Sequence, residues 1–145
     1  MTEPAARMSL VTLGVRDLAR STAFYEALGF RRKARNAEGV AFFDAGGIIL
    51  SLWSNEELAR DAGIADAEPG GFRGVSLAWN VRSEREVDAA MARAAAAGAT
   101  VSRAAATVFW GGYTGAVADP DGHVWEIAYN PGFPLTEEGR LLLPD

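Results

Sequence analysis

One carboxylate stands out in the second half of the chain because it interrupts a strand that is otherwise apolar. Residues 124–129 read VWEIAY, a run of β-favouring residues with Glu126 at its centre. A buried glutamate has to be paired, hydrogen-bonded or shifted in pKa, and a raised pKa suits a carboxyl group to general acid or base catalysis. Glu126 could instead hold an amine or hydroxyl of a ligand, or be a structural residue bonded to Ser51, Ser76 or Asn80. These three interpretations stay open at this point.

The residues near Glu126 do not form a metal-binding pattern. A divalent ion held by protein needs about three or more ligands, and the softer metals need imidazole or thiolate. The chain has one histidine and no cysteine. His123 precedes Glu126 by three positions, an odd separation, so the two side chains of a regular strand point to opposite faces. The sequence therefore predicts no metal and no other cofactor, and the alternative is a hydrated Mg²⁺ or Mn²⁺ bound by Glu126 and hydroxyl groups. His123 is expected to be an exposed or rim-packed side chain.

The alternation of side chains along strands predicts which residues line a site with Glu126. The face of residues 124–129 that carries Glu126 is slim, whereas the other face carries Trp125 and Tyr129 and is expected to pack against a helix. A slim face with an acid at its centre is typical of the lining of a hollow. Applied to the other strands, the same rule adds eight residues to the lining, which are Leu10, Thr12, Gly14, Ser51, Trp53, Ser76, Ala78 and Asn80.

Three aromatic residues are candidates for ligand contact. Trp53 could stack on a flat ligand or simply pack in the core. Trp110 and Tyr113 enclose two glycines, which favours either a ligand lid at the rim or an ordinary bulge.

The tetrapeptide of residues 119–122, DPDG, predicts a tight reversal between two strands. Proline presets φ near −65° and glycine accepts a positive φ. Asp119 and Asp121 are expected to bond to the backbone of this turn rather than to act as a catalytic carboxylate pair.

The predicted elements follow the order βαβββ, and this order occurs twice. Gly29 and Gly98 are expected to end the two long helices, and Asp17 and Ser83 to cap their starts. A short helical segment is predicted at 55–62, followed by a crossing loop at 66–71. The strands are predicted at 10–15, 30–35, 40–44 and 48–53, and again at 75–81, 100–107, 113–118 and 124–130.

The two halves align as an internal repeat. Residues 11–16 (VTLGVR) lie over 77–82 (LAWNVR) at an offset of 66, and 47–52 (GIILSL) lie over 122–127 (GHVWEI) at an offset of 75. The chain of 145 residues is therefore predicted to be a single domain. It comprises a first module at 8–54, a linker at 55–73, a second module at 74–131 and a tail at 132–145, with Phe133 and residues 141–143 as expected anchors of the tail.

Composition excludes several classes of partner. The hydrophobic content of 49% and the charged content of 23% are typical of a globular protein. A net charge of −5 disfavours nucleic acid and anionic membrane, which both favour clustered positive charge. The basic run at 31–35 is interpreted as a solvated strand edge. With no apolar run long enough to span a bilayer, a cytoplasmic location is expected. No G-x-S-x-G, P-loop or dinucleotide-binding glycine motif is present.

Two segments, LVTLGVRDLARSTAFYEALGF at 10–30 and ADPDGHVWEIAYNP at 118–131, resemble the vicinal oxygen chelate superfamily. This superfamily contains glyoxalase I, bleomycin-resistance proteins and extradiol dioxygenases. The resemblance implies an α+β fold in which two βαβββ modules form a curved, cup-shaped mixed sheet, usually completed or doubled in a homodimer. It also implies metal-ligand positions at Leu10, Ser51, Ser76 and Glu126, of which Glu126 alone has a metal-ligand side chain.

The leading prediction is a metal-free small-molecule binding protein of the glyoxalase and bleomycin-resistance type, with its ligand in the cup near Glu126. The alternative is an enzyme, a glyoxalase-like lyase or isomerase or a dioxygenase, that uses Glu126 as base or metal ligand. A third possibility is a purely structural dimerisation module whose cup is plugged by side chains.

Overall fold

The computed structural model describes residues 4–65, 71–143 and 145, and these residues form eight strands and three helices. Among these residues, no helix is long and apolar enough to cross a lipid bilayer. The elements, in chain order, are β1 Leu10–Val15, α1 Leu18–Leu28, β2 Arg31–Lys33, β3 Val40–Asp44, β4 Ile49–Ser54, α2 Asn55–Asp61, β5 Ser76–Asn80, α3 Glu84–Ala97, β6 Thr100–Thr107, β7 Tyr113–Ala118 and β8 Val124–Tyr129.

The strands form two four-stranded mixed sheets with the same topology. The first sheet has the order β1-β4-β3-β2 and the second has the order β5-β8-β7-β6. In each sheet the first strand of the module pairs in parallel with the last, and the remaining neighbours are antiparallel. The predicted α+β fold class, built from two βαβββ modules, is confirmed.

The two long helices begin and end where the local sequence predicts. Asp17 accepts a hydrogen bond from the Arg20 amide at 3.0 Å, and Gly29 ends α1 with a φ of 113°. Ser83 accepts from the Glu86 amide at 3.1 Å, and Gly98 ends α3 with a φ of 114°. These caps satisfy backbone groups that a helix end otherwise leaves unpaired.

The basic strand β2 is shorter than predicted. It covers three residues instead of the expected 30–35, because Ala34 has a φ of 46° in the left-handed region and the backbone turns away from β3 there. A non-glycine residue in this region is incompatible with continued strand pairing. As expected, β2 forms the edge of its sheet.

One face of each sheet is covered by a helix, and the two covered faces meet in a shared core. Tyr25 of α1 packs against Phe43 of the first sheet and Trp125 of the second, with ring centroids 6.1 and 6.0 Å apart. Phe30 lies 5.6 Å from Trp125 and 6.5 Å from Trp79. Because α1 lies between the two helix-covered faces, the opposite faces of the two sheets point away from each other. We call these the open faces of the first and second sheets.

The tail is held by polar contacts rather than by the apolar anchors expected from the sequence. Phe133 is 36% exposed, and Leu141 to Leu143 are more exposed still. Instead, Arg82 Nη2 donates to the carbonyl oxygens of Thr136 and Glu137 at 2.6 and 3.0 Å. The expected anchors are therefore wrong. The crossing loop predicted at 66–71 lies, apart from Gly71, outside the described residues.

Candidate functional site

The turn between β7 and β8 joins the two modules. Asp119 is buried, and its Oδ1 accepts from the amides of Asp121 and His123 at 2.9 and 2.8 Å, as expected for a side chain that caps its own turn. Its Oδ2 accepts a 2.6 Å hydrogen bond from the hydroxyl of Tyr25, and that hydroxyl accepts one from Trp125 Nε1 at 3.0 Å. Burial, together with the charge of Asp119, raises the pKa of Tyr25 well above its ordinary value.

The other acid of this turn bonds to the first module, not to its own backbone as the sequence suggested. Asp121 accepts from the amide and Nε of Arg16 at 3.0 and 3.2 Å and from the hydroxyl of Ser21 at 2.9 Å. Burial acts to raise the pKa of Asp121, but these hydrogen bonds and the charge of Arg20 hold it below its ordinary value. Asp121 is therefore held as a carboxylate.

The histidine also belongs to the junction between modules. His123 Nε2 lies 2.8 Å from the carbonyl oxygen of Gly14, which is an acceptor, so the proton of the imidazole is placed on Nε2. With this contact the ring is oriented towards the first module. His123 and Glu126 therefore do not share a site.

Glu126 lies near the middle of the open face of the second sheet. Its register partners are Ala78 on β5 and Ala116 on β7, and residues that pair in register share a face. The Glu126 side chain is 42% exposed, so the expectation of a buried acid is wrong. The physical reason is that α3 packs on the other face of the sheet, where Met91 lies against Gly115, and leaves the face of Glu126 accessible.

Arg103 is the residue of this site that the sequence did not reveal. Its Nη2 lies 3.9 Å from Glu126 Oε2, and its Nη1 donates to the carbonyl oxygen of Thr114 at 2.9 Å. Regular alternation from Thr100 would place Arg103 on the helix-covered face. A register shift between Val101 and Arg103 inserts one extra residue and turns Arg103 to the open face. The available signal was that Arg103 is the charged residue of 100–107.

Two predicted site residues share the face of Glu126. Ser76 pairs with Val124 and Asn80 pairs with Ala128 along the parallel strands β5 and β8. Ser76 is exposed and Asn80 is half-buried. The alternation of side chains along the strands therefore predicted the face of both residues correctly.

Two others lie on the open face of the first sheet and are separated from Glu126 by the shared core. Ser51 pairs with Thr12 and Phe42 and is buried, and Trp53 pairs with Val40 and is half-buried. The expectation that Ser51, Trp53 and Glu126 line one continuous site is wrong for a single chain. The two sheets meet through their helix-covered faces, so their open faces are separate surfaces.

The aromatic residues of the β6–β7 connection diverge. Trp110 is 47% exposed, and its ring occupies the space that a Cβ would need at Gly112. Tyr113 lies on the helix-covered face, where its hydroxyl donates to Asp88 of α3 at 2.6 Å, and this bond raises the pKa of Tyr113. Tyr113 is therefore not beside Glu126, and a joint lid of Trp110 and Tyr113 is not supported.

A cavity of about 460 Å³ lies beside the turn at 119–123, at the junction of the modules. Its lining includes Arg16, Phe72, Val75 and His123, and it contains none of the predicted site residues. The surface around Glu126 is an open face in a single chain and not an enclosed pocket. In the cavity, by contrast, the polar groups of Arg16 and His123 already bond across the junction, to Asp121, Pro120 and Gly14.

The donor set does not fit a metal centre. The four positions implied by the resemblance are Leu10, Ser51, Ser76 and Glu126: the first is apolar, the two serines offer only neutral hydroxyl groups, and Glu126 alone carries a carboxylate. Glu126 faces the guanidinium of Arg103, an arrangement that competes with a cation. In the described part of the chain, no three side chains of His, Cys, Asp or Glu converge.

Comparison with known proteins agrees with the fold. The sequence matches the Glyoxalase/Bleomycin resistance protein/Dioxygenase superfamily over residues 7–127. The chain belongs to this superfamily, and the resemblance noted from the sequence is confirmed. The comparison with curated proteins returned no match.

Several solved structures are similar to this one. A glyoxalase-related enzyme from Fulvimarina pelagi is 38% identical, with a TM-score of 0.86 over 97% of this chain and 100% of the other. A glyoxalase/bleomycin resistance protein/dioxygenase from Nocardioides is 29% identical, with a TM-score of 0.73 over 88% and 85% of the two chains. A lactoylglutathione lyase from Agrobacterium tumefaciens is 23% identical, with a TM-score of 0.65 over 88% and 96%, and this likeness concerns the fold.

Proposed function

We propose that this protein binds a small organic molecule on the open face of the second sheet, beside Glu126, without a bound metal. The observation that carries this proposal is the Arg103 and Glu126 pair on a face otherwise built from small side chains. Ala78 and Ala116 flank Glu126 and leave space above the sheet for a ligand. Exposed ion pairs contribute about 0–1 kcal/mol to stability, so folding does not require these charges there.

The proposal includes a homodimer that completes the site. Phe42 and Trp53 on the open face of the first sheet would supply an aromatic wall that the second sheet lacks. Since the two open faces of one chain point apart, a second copy has to bring them together. Exposed apolar side chains at the starts of β1 and β5, including Leu10 and Val75, support such an isologous contact.

The remaining partner predictions form part of the same proposal. The net charge of −5 favours a small molecule over nucleic acid or membrane as partner. A cytoplasmic location stays a prediction.

The proposal is tested by screening a metabolite library for ligands that raise the thermal unfolding midpoint of the full chain, followed by a crystal structure with the best ligand. Glu126→Gln should clearly reduce the ligand-induced shift. Glu38→Gln, at an exposed glutamate in the β2–β3 loop, is the control and should preserve it. Density for ligands only at sites remote from Glu126 would overturn the proposal, as would a stoichiometric divalent metal in protein purified without chelator.

A second candidate function is catalysis at the same place. The similar protein from Fulvimarina pelagi is described as a glyoxalase-related enzyme. An accessible carboxylate such as Glu126 could accept a proton from the carbon atom next to a carbonyl group of a substrate. If the protein turns over a ligand found in the screen, Glu126→Gln should abolish turnover while the fold is retained. Full activity of the Gln variant would exclude this role.

A further inference from the structure

The Arg103 and Glu126 side chains are close, yet they do not satisfy each other. The Nη2 to Oε2 separation of 3.9 Å exceeds the roughly 2.7–2.9 Å of a charge-assisted hydrogen bond. Both side chains are a little under half exposed, so each keeps polar atoms directed towards the open face. The pair therefore presents one donor group and one acceptor group side by side.

Arg103 is held in place by its own strand neighbour. Its Nη1 donates to the carbonyl oxygen of Thr114 at 2.9 Å, and this bond fixes the plane of the guanidinium. A fixed guanidinium recognises a carboxylate more selectively than a mobile ammonium does, because its donors form a rigid fork. The insertion in β6 is a β-bulge, and β-bulges commonly change the direction of a side chain, as this one does for Arg103.

The charges also limit which ligands fit. Along the register positions of this face, within the described residues, Arg103 and Glu126 are the charged side chains, since their neighbours are alanine, serine, threonine, valine and asparagine. A simple anion beside Arg103 would be repelled by Glu126, and a simple cation beside Glu126 would be repelled by Arg103. A small molecule that carries an ammonium and a carboxylate group on the same carbon atom meets neither penalty.

We propose that the ligand of this face is a small zwitterion of the amino acid type, with its carboxylate on Arg103 and its ammonium on Glu126. This inference rests on the proposed function and specifies the ligand class. The methyl side chains of Ala78 and Ala116 let the ligand approach Glu126 closely, and its apolar part extends over them.

The test uses three probes that differ by one charge each. L-phenylalanine carries both charges, L-phenylalaninamide lacks the carboxylate, and 3-phenylpropionate lacks the ammonium. Binding to the full chain is followed by NMR titration. Phenylalanine should bind, and the affinity of each analogue should be lower by at least about tenfold. This is the loss expected for one charge-assisted contact.

Variants assign each preference to a residue. Arg103→Gln should remove the preference for phenylalanine over its amide, and Glu126→Gln the preference over 3-phenylpropionate. Arg103→Lys, which keeps the charge without the fork, should restore part of the affinity. The matched controls are Arg35→Gln and Glu26→Gln, because these residues form another exposed ion pair at 3.3 Å. The folded state of each variant is checked by its unfolding midpoint.

The possible results separate this inference from the proposal on which it rests. Equal binding of the three probes, or preferences that survive in Arg103→Gln and Glu126→Gln, would overturn the inference. If phenylalanine does not bind but library ligands of another charge type bind beside Glu126, the proposed ligand class is wrong and the proposed binding function stands. If no ligand of any class binds at this face, both are wrong.

Discussion

The hydroxyl of Tyr25, on the first helix, donates a 2.6 Å hydrogen bond to Asp119 Oδ2, in the turn before the last strand. The two residues are 94 positions apart in sequence and both are buried. This contact connects the modules at the centre of the shared core. Together with the aromatic packing of Tyr25 against Phe43 and Trp125, it holds the two helix-covered faces against each other.

Tyr25→Phe should destabilise the protein. The change leaves a buried oxygen of Asp119 and the Nε1 of Trp125 without a partner, which should lower the free energy of unfolding by about 1–3 kcal/mol. Urea unfolding followed by tryptophan fluorescence measures this loss. Tyr113→Phe removes a more accessible bond of the same kind, to Asp88, and should have a smaller effect. Equal effects of the two changes would mean that the Tyr25 bond has no special place in the core.

Asp121→Asn should destabilise the protein at neutral pH, and the effect should shrink in acid. The folded-state pKa of Asp121 is lower than its ordinary value of 3.8, so the carboxylate stabilises the fold above that value. This contribution is lost as pH falls through the depressed pKa. We expect a loss of about 1–2 kcal/mol at neutral pH. Urea unfolding of both proteins at pH 7 and pH 3 checks it, and a pH-independent difference would show that shape, not charge, is responsible.

Removing the exposed charge pair should affect binding and not folding. Arg103→Gln and Glu126→Gln should each change the free energy of unfolding by about 1 kcal/mol or less, because both side chains are exposed and screened. The same variants should show a smaller ligand-induced rise in the unfolding midpoint than the wild-type protein. Calorimetric unfolding with and without ligand measures both quantities together. A large loss of stability in the absence of ligand would instead indicate that the pair is structural.

Charges placed at the proposed dimer contact should dissociate the dimer. Leu10→Asp and Val75→Asp introduce unpaired carboxylates on exposed apolar side chains at the starts of β1 and β5. Sedimentation velocity should show a shift from dimer to monomer. Ile64→Asp changes an equally exposed apolar residue just after α2 and should leave the dimer intact. A wild-type protein that sediments as a monomer at all concentrations would exclude this part of the proposal.

Much of the fold was predictable because its signals are local. Asp17, Gly29, Ser83 and Gly98 start and end the helices through bonds to residues within five positions, and Asp119 caps the DPDG turn by accepting from backbone amides of the turn itself. The strands that the internal repeat aligned, β1 with β5 and β4 with β8, are the ones that form the parallel pair of each sheet. Ala34 marks the limit of this approach, since an alanine carries no signal for the left-handed conformation that ends β2.

The candidate site was predictable only in part. The alternation of side chains placed Ser76 and Asn80 on the same face as Glu126, because side chains of a strand without insertions alternate strictly between its two faces. It could not place Arg103, whose position depends on one extra residue in β6. Nor could it show that Ser51 and Trp53 lie on a different surface.

The sequence alone determined the family, the order of the elements, their caps and the alternation of faces within each regular strand, because these depend on backbone preferences over a few residues. The tertiary structure decided that Tyr25 and Trp125 bring the helix-covered faces together, that Glu126 is accessible, and that Arg103 stands beside it. These features depend on packing between residues about 100 positions apart and on an inserted residue in β6 that can be recognised only from the pairing of β6 with β7. No local pattern encodes either of them.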